Sequence, residues 1–220
     1  MAEGKKGESL NSFFDSMTDE QKSKIEAVGI DRGGAYKKAV NEKIPNAAIV
    51  YDKFHLILNL NEAINEVRRE AWRKASKQDR KVLKGQRFNL LRSWHNSTPD
   101  QQRSLKALLN INEDLNICYI LKEAIGHIWQ YKYQKSAENC LRQWIAWAEE
   151  SCLPALQRFA RGLWKAKDGI LSFCKHPITN GMIEAFNNQI ARLLHRSCGI
   201  KDLRYLFLQL RQQYLSADLQ

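Results

Sequence analysis

The sequence predicts a mainly helical protein with a small α/β part. The α/β part rests on two short apolar runs that each close on an aspartate. The first is Ala27-Val28-Gly29-Ile30 before Asp31, and the second is Ala47-Ala48-Ile49-Val50-Tyr51 before Asp52. Continuous runs of this kind read as strands buried on both faces, as in a parallel sheet. Between them Gly33-Gly34 permits a turn, Tyr36, Ala39 and Val40 fall at helical spacing, and Pro45 stops the helix. The helical part rests on the 3.6-residue apolar period that takes over after His55 and dominates from Thr98 onward.

The elements follow in order. Residues from Ser9 to Met17 form a short helix carrying Leu10, Phe13 and Phe14. Thr18-Asp19-Glu20-Gln21 fits a capping box and opens a second helical turn. After the βαβ unit, Leu56, Leu60, Ala63, Ile64, Val67 and Ala71 mark the apolar face of a helix, with Glu62, Glu66, Arg69 and Arg73 on the wet face. Thr98-Pro99-Asp100-Gln101 combines an N-cap, a proline at the first helical position and a glutamine at the third. Leu115 to Ile128 marks a long helix, Ser136 is placed to cap the next, and Pro154 opens another. Trp94, Trp129, Trp144, Trp147 and Trp164 fall in this layer, and aromatics at helical spacing are core more often than stacking platforms. A last break at Asn180-Gly181 opens a helix with Ile183, Phe186, Ile190 and Leu193 on one side and Glu184 in its first turn. A final amphipathic helix carries Leu203, Leu206, Leu210 and Tyr214.

Charge points to a polyanionic partner. With 35 Lys and Arg against 24 Asp and Glu, the net charge is +11, which favours nucleic acid. Lys74, Lys77, Arg80, Lys81, Lys84 and Arg87 concentrate this charge in one stretch, and Arg192 and Arg196 add to it near the end. No apolar run approaches the ~20 residues of a membrane span, and the first ten residues lack the apolar core of a signal peptide. The expected setting is cytoplasmic, with no membrane contact. Five widely spaced cysteines without a C-x-x-C pair read as small buried apolar residues in a reducing compartment.

Side chains just past the carboxyl ends of parallel strands line the usual ligand crevice. Asp31 and Asp52 belong at that edge, with His55 three residues further on. Acidic groups there attract metal or act as bases. An aspartate closing a strand also caps helices and turns, and a histidine there can be purely structural, so spacing alone leaves both roles open.

Two stretches carry a family resemblance. GIDRGGAYKKAV through IPNAAIVYDKFHLILNLNEAINEVRRE, and ITNGMIEAFNNQIARLLHRSCGIKDLRYL, resemble the bacterial insertion-sequence transposases of the ISL3 family. The resemblance covers essentially the whole chain. It implies a partial ribonuclease H-like core at residues 1–58, a helical insertion at 59–176, and carboxyl-terminal core helices at 177–220 carrying the final acid. It matches Asp31 to the second acid of a DDE triad and Glu184 to the third, both as metal ligands. Asp52-Lys53-Phe54-His55 matches a D-x-x-H signature, with Asp52 and His55 bracing the site. It further implies Mg²⁺ or Mn²⁺, DNA ends and target DNA as substrates, the basic residues above on phosphates, and a homodimer or larger assembly. Ala185 stands where the family usually has glycine. The family's first catalytic aspartate lies on a strand that nothing in this sequence matches. The expectation is therefore the carboxyl part of a transposase that does not cut DNA alone. The alternative is a non-catalytic basic helical protein that binds nucleic acid or serves assembly.

Overall fold

The computed structural model describes the backbone of residues 7–31, 34–179, 181–196 and 202–217, with side chains throughout these except at 7–9, 182–184, 203, 210 and 213–217. The chain divides into two compact units, residues 1–178 and 179–220. In the first, α1 (Gly7–Asp15) and α2 (Asp19–Ser23) precede β1 (Ala27–Ile30), α3 (Gly34–Lys43) and β2 (Ala48–Tyr51). Then come α4 (Lys53–Lys74), α5 (Lys77–Leu83), α6 (Arg87–Leu91), α7 (Pro99–Ile111), α8 (Glu113–Ile125), α9 (Gln134–Glu150), α10 (Pro154–Lys165) and α11 (Lys167–Leu171). The second unit holds α12 (Gly181–Arg196) and α13 (Leu203–Ala217).

The mainly helical class and the small parallel sheet are as the sequence predicts. The strands pair in parallel with Ala27 opposite Ala48 and Ile30 opposite Tyr51. Two strands are marginal by themselves, and helices pack against this pair. A small cluster of Phe14, Val40 and Ile44 from α1, α3 and its end packs on Val28 and Ile49. The main core joins Ile30 and Tyr51 to Leu56, Leu60 and Ile64 of α4 and to Leu115, Ile125, Trp144, Leu156 and Phe159 of the helical layer. α4 crosses from the sheet into that layer, burying Leu56, Leu60, Ile64, Val67 and Ala71, the face its period marks. Burying the four larger of those side chains, Leu56, Leu60, Ile64 and Val67, is worth roughly 1.5–3 kcal/mol each before entropy is counted.

Both expected capping boxes form: Thr18 and Thr98 each accept from the third backbone N–H, and Gln21 and Gln101 answer. Four details differ from expectation. α9 starts at Gln134, two residues before Ser136, with Tyr133 at the N-cap position and no side-chain cap; Gln134 is held there by donating to the Leu171 carbonyl. The helix expected to reach Ile128 tightens after Ile125 into a 3₁₀ turn over Gly126–Gln130. Cys118 is buried, but Cys152 is exposed and Cys140 and Cys174 lie between. Trp144 fills the core, whereas Trp147 is exposed on the same helix because it lies off the apolar stripe. Arg32, Gly33, Asn180 and Cys198 lie outside the described residues. No helix among the described residues is long and apolar enough to cross a membrane.

Candidate functional site

The strand ladder sets the site. The Asp52 N–H donates to the Ile30 carbonyl at 3.1 Å, so the residue closing β2 lies beside the end of β1, where Asp31 follows. The chain then turns directly into α4. Asp52 occupies the N-cap position with extended φ and ψ, yet makes no side-chain cap bond. Its carboxylate is directed to His55 instead, one turn along the helix: Asp52 Oδ2 lies 2.7 Å from His55 Nδ1. Asp31 Oδ1 approaches the same nitrogen at 3.0 Å. One ligand atom from each of the three residues falls within 4.8 Å of the others.

The two carboxylates differ sharply in setting. The Asp52 side chain is 3% exposed, that of Asp31 50%. Buried ionisable groups require partners, and Asp52 has the imidazole as its partner. One Nδ1–H lies between two carboxylates and cannot neutralise both, even when the ring is cationic. Both carboxylates lie at the amino end of α4, where the helix dipole favours negative charge. Phe54, half exposed, stands edge-on to the His55 ring at 5.8 Å. Two carboxylates and an imidazole gathered this closely are residue types that hold a divalent ion; carboxylate oxygens suit Mg²⁺ and Mn²⁺.

The other candidates lie elsewhere. Glu184 falls in the first turn of α12, in the second unit, and its side chain lies outside the described residues. Arg192 and Arg196 are exposed on α12, where with Gln189 and Leu193 they line a cleft of about 250 Å³. Lys74 ends α4, Lys77, Arg80 and Lys81 belong to α5, Lys84 follows it and Arg87 opens α6; all six are exposed. Arg80 is committed locally, donating to the Trp72 and Arg73 carbonyls at 3.2 Å each. Arg68, Arg69 and Trp72 also belong to this basic region, and the sequence reading did not single them out as binding residues. The signal was the RREAWR run, whose cations recur one helical turn apart.

Comparison with known proteins bears on the whole chain. A family model described as "Transposase", of ISL3-type DDE enzymes, matches residues 1–210. The transposase for insertion sequence element IS1001 of Bordetella parapertussis is 32% identical over 215 residues, covering 96% of this chain and 53% of that protein. The transposase for insertion sequence element IS1557 of Mycobacterium tuberculosis H37Rv is 26% identical, covering 87% of this chain and 48% of that protein. The chain thus spans about half the length of the curated relatives it matches. No solved structure gives a significant match.

Proposed function

The chain belongs to the ISL3 family of DDE transposases, and we propose that Asp31, Asp52 and His55 form part of a divalent-metal centre acting on DNA phosphodiesters. The observation that carries this reading is the buried Asp52 carboxylate, turned away from its capping role and onto His55 beside Asp31. In our reading Asp31 and Glu184 are direct ligands, and Asp52 and His55 hold the site in shape. The ribonuclease H-like core comprises residues 1–58 and 177–220, divided by the helical insertion 59–176. Divalent ions held by such carboxylates supply Lewis-acid stabilisation of the attacking and leaving oxygens in an in-line displacement. The protein's own part is to hold the acids in place. Asp52, inside the core, fixes the imidazole, and the imidazole fixes the exposed Asp31 carboxylate toward solvent and substrate. The basic stretch 74–87 and Arg192 with Arg196 meet DNA phosphates.

Mn²⁺ binding, followed by the enhancement of water proton relaxation, tests the site without requiring activity. The expected result is saturable binding, displaced by Mg²⁺. Asp31→Asn removes a ligand and abolishes saturable binding. Asp52→Asn weakens binding about 10- to 100-fold, the usual cost of losing an outer-shell partner. Binding unchanged in both variants would overturn the proposal.

A further inference from the structure

The last two turns of α4 and the turn after α5 enclose a cleft of about 400 Å³. Its charged walls are Arg68, Arg69, Arg73 and Lys84, all cations, and Trp72 and Leu83 complete its lining. Leu83 is 2% exposed and belongs to the main core, so this wall is anchored. Arg80 ties the opposite side down through the Trp72 and Arg73 carbonyls, with its guanidinium 6.0 Å from the Trp72 ring. Gly85 makes the turn at φ +76°, a conformation that favours glycine.

The cations are oriented as well as gathered. Arg68 Nε donates to Asn65 Oδ1 at 3.0 Å, and Asn65 is itself 8% exposed. That bond fixes the plane of the guanidinium fork. Burial first, then the charges of Arg87 and Arg69, hold the Arg68 guanidinium below its ordinary pKa. A solvated basic face spreads its charges apart; this one concentrates them around a concavity, at an electrostatic cost that a bound anion relieves. Planar guanidinium forks match phosphate oxygens in pairs. Three residues on from Gly85 of the cleft lining, Phe88 is 71% exposed, with the Arg87 guanidinium 5.9 Å from its ring. An exposed aromatic beside a cationic groove is the arrangement that stacks an unpaired base while the groove holds its backbone.

We propose that this cleft takes a backbone phosphate of an unpaired DNA strand and that Phe88 is the platform for the neighbouring base. The phosphodiester follows from the clustered guanidinium groups, and DNA as its source rests on the transposase reading above. Fluorescence anisotropy with a labelled short oligothymidine and a duplex of equal length tests it, in EDTA so that the acidic cluster takes no part. Arg69→Ala and Arg73→Ala, both at exposed positions, should each weaken oligothymidine binding about tenfold. Each should also lower the slope of log K against log salt by about 0.7, as for one single-strand phosphate contact. Phe88→Ala should weaken oligothymidine binding by about fivefold or more, within the range of one stacked base, and leave duplex binding unchanged. Lys37→Ala, at an exposed position on α3, is the control for diffuse charge and should change nothing. Inorganic phosphate at millimolar concentration should compete only weakly; full displacement would point to a free-anion site and overturn the assignment to DNA. Equal losses in Lys37→Ala and the arginine variants, or tighter binding of duplex than of single strand, would also overturn it. Because metal is absent, failure here leaves the Mn²⁺ result untouched, and failure of Mn²⁺ binding leaves this assay untouched.

Discussion

Replacing Gly169 with alanine should destabilise the protein through a single contact. Gly169 lies in α11, buried against the Tyr51 ring. A Cβ built there falls 2.4 Å from Tyr51 Cδ2, 2.6 Å from Cε2 and 2.9 Å from Cγ. Ordinary contact begins near 3.4 Å, so the ring has to retreat by about 1 Å. Tyr51 is 6% exposed and sits in the main core at the end of β2. Overpacking of this kind costs about 1–3 kcal/mol. Contact with three buried ring atoms places the cost in the upper part of that range, about 2–3 kcal/mol; alanine's better helix propensity returns about 1 kcal/mol, leaving a net loss of about 1–2 kcal/mol. For a chain of this size that is a fall in Tm of roughly 2–8 °C. Thermal unfolding followed by circular dichroism reads it directly. In a Tyr51→Ala background the clash is gone, so Gly169→Ala should cost nothing there, a coupling of at least ~1 kcal/mol. A Gly169→Ala protein as stable as the parent, or an equal loss in both backgrounds, refutes the contact as the cause.

Cys152→Gly should raise the urea midpoint, by about 0.5–1 kcal/mol in stability: Cys152 follows α9 at φ +55°, the left-handed position where helices prefer glycine, and a lowered midpoint would contradict this. Glu123→Gln should flatten the loss of stability on acidification. Burial alone raises the Glu123 carboxyl, but Lys122 Nζ at 2.8 Å, the Ser93 hydroxyl and the Trp94 backbone together hold it below the usual carboxylate range. Its folded value lies below its unfolded one, so its stabilisation is present above the ordinary carboxylate pKa and lost as pH falls through the lowered folded value. Urea midpoints at neutral and acid pH should therefore differ less in the variant than in the parent, and equal pH dependence of parent and variant would rule this out. At pH 8 a thiol reagent should label Cys152 at once and Cys118 only on unfolding, since burial, then Asp114, pushes the Cys118 thiol up to about 12; early labelling of Cys118, read by peptide mass, would show that its helix opens.

The strands were legible because two β-branched runs closing on aspartate have few other solutions, and they appear at Ala27–Ile30 and Ala48–Tyr51. The helix caps were legible because their chemistry is local. Ser136 failed as a cap because a contact 37 residues away, Gln134 to the Leu171 carbonyl, extends α9 past it. At the site, spacing alone left Asp52 between a cap and a ligand. Only the three-dimensional course of the chain decides that its carboxylate turns to His55. The cleft beside Trp72 was hidden for a similar reason. Its cations come from the end of α4 and from the turn after α5, and what brings them together is the buried Leu83 and the bonds of Arg80.

The same core that hid these contacts from the sequence explains why the acidic cluster holds its shape. A two-stranded sheet cannot position a carboxylate against the repulsion of another without support. Here Ile30 and Tyr51, the residues immediately before Asp31 and Asp52, are packed in one cluster with α4 and the helical layer. Gly169 closes on Tyr51 so tightly that no side chain fits between them. The backbone beneath the site is therefore held from residues more than a hundred positions later in the chain. Asp52 is held on that anchored side. Asp31 is on the open side, half exposed to solvent. A buried acid and an exposed one share a single imidazole, so the buried carboxylate has a partner. For that reason substitutions in α11 should reach the site as surely as substitutions within it.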